Sequence, residues 1–258
     1  MSKSAIQTTA LASIYLLASL IFARSAAAIA PPQPAESTST APSYAAKDLS
    51  GWTVQIHLEL LEPETRPATE QALQLLTLQL NEICRVVPSA AVDRLQNVTL
   101  WFSPQYPGIP PGAEYHPSGD WLRANGRDPA MARGVEFTNI RIFAAETRRM
   151  PNFALHELAH AYHHRELPDG FQNEPLQSAF EKAKASGGYD RVERQDSEGN
   201  KRFDRAYALT NPQEYFAETT EAFFTRNDFF PFDHKELQQH DPEVCQLLTK
   251  LWGVQPSP

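Results

Sequence analysis

Residues 152–167, NFALHELAHAYHHREL, hold four histidines and two glutamates in sixteen positions. Two of those histidines, His156 and His160, flank Glu157, Leu158 and Ala159. On a helix, residues four apart project from one face, a turn apart. At that spacing two imidazoles can reach one Zn²⁺ ion at about 2.0–2.1 Å each. Glu157 is turned about a third of a turn from the first histidine, so it can touch a water on the ion without binding the ion itself. The H-E-x-x-H pattern gives such a glutamate the part of general base in metal-assisted hydrolysis. Around the polar trio stand Phe153, Leu155, Leu158, Ala159, Ala161 and Tyr162. A helix so flanked is largely buried, where unpartnered histidines and a carboxylate would be costly, and this favours a metal site over a chance pattern.

Such an ion wants a third protein ligand. His163 shares a face with His156 but lies seven residues on, about 10.5 Å along the helix axis, too far for one ion to hold the set. It and His164 are expected at the C-terminal end of the helix, where cations are favoured. The better source is RAYALTNPQEYFAETTEAFF, residues 205–224. Thr210 or Asn211 can cap a helix there, with Pro212 in its first turn. Glu214, Glu218 and Glu221 then share one face of a segment rich in aromatic residues. A first-turn glutamate can bind the ion, and an acid one turn later can accept the free N–H of a ligating histidine and orient it. From spacing alone, a solvated acidic stripe is the alternative.

Together, HELAH and YALTNPQEYFAE resemble the catalytic domain of the anthrax lethal-factor-like metallopeptidases, a branch of the gluzincins. The resemblance covers about 75 residues, 151–224. It implies that His156, His160 and Glu214 bind zinc, that Glu157 is the general base, that Tyr207 supports the transition state, and that Glu218 is the second acidic residue. Hydrolysis of peptide bonds by a zinc-activated water is the implied reaction. A wider group of exported proteins also shares NPQEYFAETTEAFF and the RNDFFPF that follows it. The 53 residues between His160 and Glu214 are longer than the toxin's spacing, so its targets are not carried over. Apart from the resemblance, a tyrosine at the end of a hairpin is more simply a packing residue. Glu221, His116, His234 and His240 are expected to be structural.

The elements that must position these residues read as mixed α and β. WTVQIHLELL, from Trp52, alternates apolar and polar residues as a half-buried strand does. Pro67 opens a leucine-rich helix that runs to Pro88, and residues 97–102 read as the next strand. Residues 103–121 are full of proline and glycine and predict irregular chain. Another strand is expected over 134–143, then the histidine helix from near Pro151, and a weaker helix over 173–186. A charged hairpin turning at residues 197–200 follows, and helices over 212–226 and 242–252 end the chain. The expected fold is α+β: a zincin-like metallopeptidase domain with a small mixed sheet, the HExxH helix and a following glutamate-bearing helix.

Ahead of this domain, residues 1–28 have the lysine, apolar run and small-residue end of a secretory signal. An uncleaved membrane anchor is the alternative, though the apolar run is short for a bilayer span. Residues 29–47 read as a Pro/Ala/Ser/Thr-rich linker and 48–258 as the catalytic domain. The mature protein is expected to be exported, with no stable membrane insertion. A net charge of −8 argues against nucleic acid as a partner. Cys84 and Cys245, 161 positions apart, either bridge or stay free thiols. The expected substrate is a peptide or protein. A zinc-stabilised binding module without turnover and a zinc hydrolase of non-peptide amides are the alternatives, and Glu157 argues against the first because zinc binding alone does not need it.

Overall fold

The computed structural model describes residues 43–255. Strand β1 (Tyr44–Leu49) turns into the antiparallel β2 (Trp52–His57) through Ser50 and Gly51, both at positive φ. Alternation along β2 buries Trp52, Val54 and Ile56. Helices α1 (Arg66–Val86) and α2 (Ser89–Leu95) then lead to β3 (Leu100–Phe102), parallel to β2. After β4 (Ala113–Tyr115) and α3 (Gly119–Ala124), strand β5 (Val135–Phe137) enters between β3 and β4. The sheet order is β1-β2-β3-β5-β4, with antiparallel outer pairs and parallel inner ones. Next come α4 (Phe143–Arg149), α5 (Phe153–Glu166), α6 (Glu174–Ser186), the hairpin β6 (Val192–Gln195) and β7 (Lys201–Asp204), α7 (Pro212–Phe224), α8 (His234–His240) and α9 (Pro242–Leu251). The result is a mixed α+β fold with a small mixed sheet.

Register explains why the sheet has two different faces. Val54, Leu100, Val135 and Tyr115 stand side by side across four strands, as do Ile56, Phe102, Phe137 and Ala113. These rows face the main core. Phe102, Phe137, Phe143 and Phe153 pack there with ring centroids 4.7–6.0 Å apart, within the range of favourable edge-on contacts. Phe153 is the first residue of α5, so this aromatic cluster seats the start of that helix against the sheet.

The intervening row, Gln55, Trp101, Glu136 and Glu114, points the other way. Residues 103–133 cover that face with little apolar material, chiefly Leu122 and Met131 against Trp101. A buried ionic cluster supplies the rest. Glu136 accepts from the Tyr106 hydroxyl at 2.8 Å and meets His116 at 2.9 Å and Arg127 at 3.3 Å. Arg127 also bonds Glu114 at 2.6 Å and lies over the rings of Tyr106 and Trp121. Charges so buried are tolerable because each is paired.

Several expectations shift. Residues 44–47, assigned above to a linker, form most of β1, held by the Tyr44 ring against Trp101 and His57 at 5.0 and 5.2 Å. The expected signal segment, 1–28, and the linker up to residue 42 lie outside the described residues. The strand expected over 134–143 ends at Phe137, and its remainder becomes a 3-10 turn and α4. Strand β4 lies within the stretch expected to be irregular, and α2, α3 and α8 were not anticipated. Cys84 is exposed and Cys245 buried, and both are free. Among the described residues no helix is long and apolar enough to cross a membrane.

Candidate metal centre

Helix α5 is fixed at its start by side chains of α1 and its own cap. Asn152 accepts from the Leu155 N–H at 3.1 Å and donates to the carbonyl of Gln79 at 3.0 Å. The Gln79 side chain accepts from the Ala154 N–H at 3.0 Å and donates to Thr147. The otherwise orphaned Ala154 N–H is thereby satisfied in the interior, and the Leu155 N–H gains a side-chain acceptor beside the Asn152 carbonyl. Helix α7 begins in the same manner: Pro212 takes the first position and Asn211 accepts from the Glu214 N–H at 2.8 Å.

These two starts bring three side chains to one point. Nε2 of His156 and Nε2 of His160 are 3.2 Å apart, and Oε2 of Glu214 lies 3.1 Å from the first and 3.4 Å from the second. A tetrahedral ion with bonds of about 2.05 Å sets its ligand atoms about 3.3 Å apart. The triangle has that size. Its chemistry also fits: Nδ1 of His156 hydrogen-bonds Oε1 of Glu221 at 2.7 Å, which assigns the ring proton to Nδ1 and leaves the Nε2 lone pair facing the Glu214 carboxylate. Two acceptors at that distance need a cation or a proton between them. Burial opposes charge on His156, but Glu214 and Glu221 outweigh it and raise its pKa well above the usual value. Burial likewise opposes charge on Glu214, and the two histidines hold its carboxyl far below the ordinary range. A second group, His156 with Glu218 and Glu221, also comes close among the described residues. It would use the nitrogen already bonded to Glu221, so the first group is the better ion site.

Glu157 projects beside this triangle, and its Oε2 accepts from the backbone N–H of Tyr115, in β4, at 2.9 Å. Tyr207 sits in a 3-10 turn (Tyr207–Leu209) ahead of α7 and is 47 % exposed. It lines, with His156, Glu157, His160 and Glu214, a cavity of about 740 Å³. Partial burial, then the nearby Glu214 carboxylate, raises its phenol pKa. All five of these expected site residues therefore meet in one place.

Glu218, expected to orient a ligating histidine, does not do so. Its Oε1 is 3.7 Å from Nδ1 of His156, beyond hydrogen-bond reach, and its other oxygen accepts from Asn227 at 3.1 Å. Glu221 takes the orienting position. The reason is the imidazole itself, whose Nε2 faces the first turn of α7 while Nδ1, on the opposite edge, meets the helix further along. Burial pushes the carboxyls of both Glu218 and Glu221 upward, with Glu221 adding to it at Glu218 and His156 opposing it at Glu221, so the pair favours holding a proton. The expectation for His163 is also corrected. It is fully buried between Phe171 and Phe216, neither ring nitrogen has a partner, and burial lowers its pKa to about 3. It is a neutral core residue rather than a cation at a helix end. His164 instead bonds the Tyr115 hydroxyl at 2.8 Å.

Sequence reasoning missed Tyr115, Arg149, Arg194 and Asp228, which line the same cavity. Their types carried no spacing signal, because four different segments deliver them. Glu221 did carry one, as the third acid of the shared face.

Residues 138–252 match the model of the family described as Glucose-regulated metallo-peptidase M90. The matched stretch takes in all three residues of the triangle, Glu157 and Tyr207, and it supports a metallopeptidase. No curated protein and no solved structure matches the chain significantly.

Proposed function

We propose that this chain is a zinc-dependent peptidase whose ion is held by His156, His160 and Glu214. The observation that carries the reading is the triangle of two imidazole nitrogens and a carboxylate oxygen, 3.1–3.4 Å on a side, with Glu157 at its edge. Bound there, Zn²⁺ would supply the Lewis acidity that activates water and polarises a peptide carbonyl. The remaining work belongs to the chain's own groups. Glu157 takes a proton from the attacking water and returns it to the leaving amine, with one of its oxygens steadied by the Tyr115 N–H. The Tyr207 hydroxyl donates to the oxyanion as charge develops on it. Glu221 keeps the His156 ring in the tautomer and orientation a ligand needs. The likeness of HELAH and YALTNPQEYFAE to the lethal-factor-like peptidases supports the same assignments for Tyr207 and Glu214.

A peptide substrate is supported by the metallopeptidase match and by β4. This strand is the edge of the sheet, and its pairing turns Gly112 and His116 toward β5. Ala113 therefore turns its backbone N–H and carbonyl outward along the cavity wall, where an extended chain can add, while the Tyr115 N–H stays with Glu157. Export after removal of a signal at residues 1–28 belongs to the same proposal and rests on the N-terminal sequence.

The test is zinc stoichiometry by elemental analysis together with cleavage of a mixed peptide library. Wild type and Glu157→Gln should each carry one zinc per chain, Glu214→Ala should retain it poorly, and only the wild type should cut peptides. Full zinc retention in a folded Glu214→Ala would remove the third ligand from the reading. Peptides left uncut while glycan-linked amides are hydrolysed would reassign the substrate, and zinc binding with no turnover of either would leave a binding module.

A further inference from the structure

The cavity continues past Glu218 to a second polar end formed by Arg149, Arg194, Asp228 and Phe229. Asp228 is buried, and its Oδ2 receives both cations, NH1 of Arg149 at 2.9 Å and Nε of Arg194 at 3.1 Å. Arg149 also bonds Glu146 through NH2 at 2.6 Å, so both ends of its fork are engaged. Arg194 differs. Its guanidinium lies over the Phe229 ring, 4.5 Å from the centroid, and among the described residues its two terminal nitrogens have no hydrogen-bond partner. The side chain is 26 % exposed, and it lines the cavity.

The backbone keeps this guanidinium in place. Arg194 forms a bridge with Phe229, the Gln195 N–H donates to the Asp228 carbonyl at 2.9 Å, and the Phe230 N–H donates to the Glu193 carbonyl at 2.8 Å. The acids on its own hairpin are engaged elsewhere, Glu193 with Lys201, Asp204 with Arg202, Asp196 with Asn200 and Glu198 with Ser197. A guanidinium anchored through Nε and supported on one side by an aromatic ring keeps two parallel N–H donors for a planar anion. Arg194 thus has the geometry of a carboxylate receptor, in the same cavity as the metal centre.

We propose that Arg194 anchors substrate in this cavity by binding a carboxylate of the peptide through its terminal fork. The inference rests on the peptidase reading and gives it a specificity. The carboxylate has two sources, an acidic side chain near the scissile bond or a free C-terminus, and both present the same two oxygens.

The experiment uses the zinc-loaded full chain and matched peptides. One set exchanges glutamate for glutamine at each position around the cleaved bond, with the C-terminus amidated. The other keeps a neutral sequence and exchanges free acid for amide at the C-terminus. One set should show a kcat/KM ratio of about tenfold or more in favour of the carboxylate. That ratio should fall toward one in Arg194→Met and be partly kept in Arg194→Lys, which retains charge without the fork. Thermal midpoints check that both variants fold, and if Arg194→Met does not, the Arg194→Lys ratio decides. The same peptides are titrated against Glu157→Gln, where binding is read without cleavage. Cleavage with no acid preference in either set overturns the anchor and leaves the peptidase standing. A preference that survives Arg194→Met also overturns it. Binding to Glu157→Gln that favours the acid and vanishes with Arg194→Met, when the wild type cuts nothing, keeps the anchor and overturns the peptidase. Binding with no such preference when nothing is cut overturns both.

Discussion

Glu221 accepts a hydrogen bond from Nδ1 of His156 at 2.7 Å, whereas Glu218 stands 3.7 Å from the same nitrogen. The acid two turns beyond Glu214, rather than one, therefore sets the tautomer of the first histidine. Loss of such a partner typically costs about 10–100-fold in metal affinity. Glu221→Ala should weaken zinc binding by that amount in a competition titration with a chromophoric chelator, and Glu218→Ala should weaken it far less. Equal losses from the two variants would contradict the orienting role.

Tyr207 offers its hydroxyl to the cavity from a half-exposed position, so its removal should leave the fold intact. If it donates to the developing oxyanion, Tyr207→Phe lowers kcat about 10²-fold while KM changes little. Steady-state kinetics on a cleaved peptide measure both. An unchanged kcat would return Tyr207 to packing.

Gln79 is buried in α1, yet its side chain meets the first turn of α5. Gln79→Met keeps much of the volume and leaves the Ala154 N–H without an acceptor. A buried unsatisfied donor costs about 1–3 kcal/mol, and urea unfolding of the chelator-treated protein should show a loss of that size. A loss below about 0.5 kcal/mol would mean that water or a rearranged neighbour serves the helix equally well.

His163 predicts a pH dependence. Burial first, then the neighbouring His160 and His164, holds its pKa near 3, while an unfolded histidine titrates near 6.5. Above pH 6.5 both states leave it neutral, and it adds no slope. Between pH 6.5 and 3 the unfolded chain binds a proton that the folded chain refuses, so stability falls with falling pH by up to about 1.4 kcal/mol per unit. His163→Leu should flatten that acid limb in chelator-treated protein, measured by urea unfolding across the range. The same slope in the variant would show that the ring protonates in place.

Much of the site was legible because its signals are local. The His156–His160 pair obeys helical spacing, and Asn211 with Pro212 marks where the helix that carries Glu214 begins. The long elements were legible for the same reason: α1, α6 and α7 carry periodic apolar faces. What escaped depends on contacts between distant segments. Strand β4 is three residues inside a run rich in proline and glycine, and it exists because Glu114 and its neighbours pair with β5 and with Arg127. The exchange of Glu218 for Glu221 turned on which edge of an imidazole meets α7, and spacing on one helix cannot specify that. His163 looked like a terminal cation until Phe171 and Phe216 closed around it.

Strand β4 joins two features that stand on opposite faces of the sheet. Through the Tyr115 N–H it touches Glu157, and through Glu114 it is tied to Arg127 and so to Glu136 and His116. Both attachments sit on adjacent residues, Glu114 and Tyr115, of one three-residue strand paired with β5. The general base and the buried Arg127–Glu136–His116 cluster thus share the same short strand.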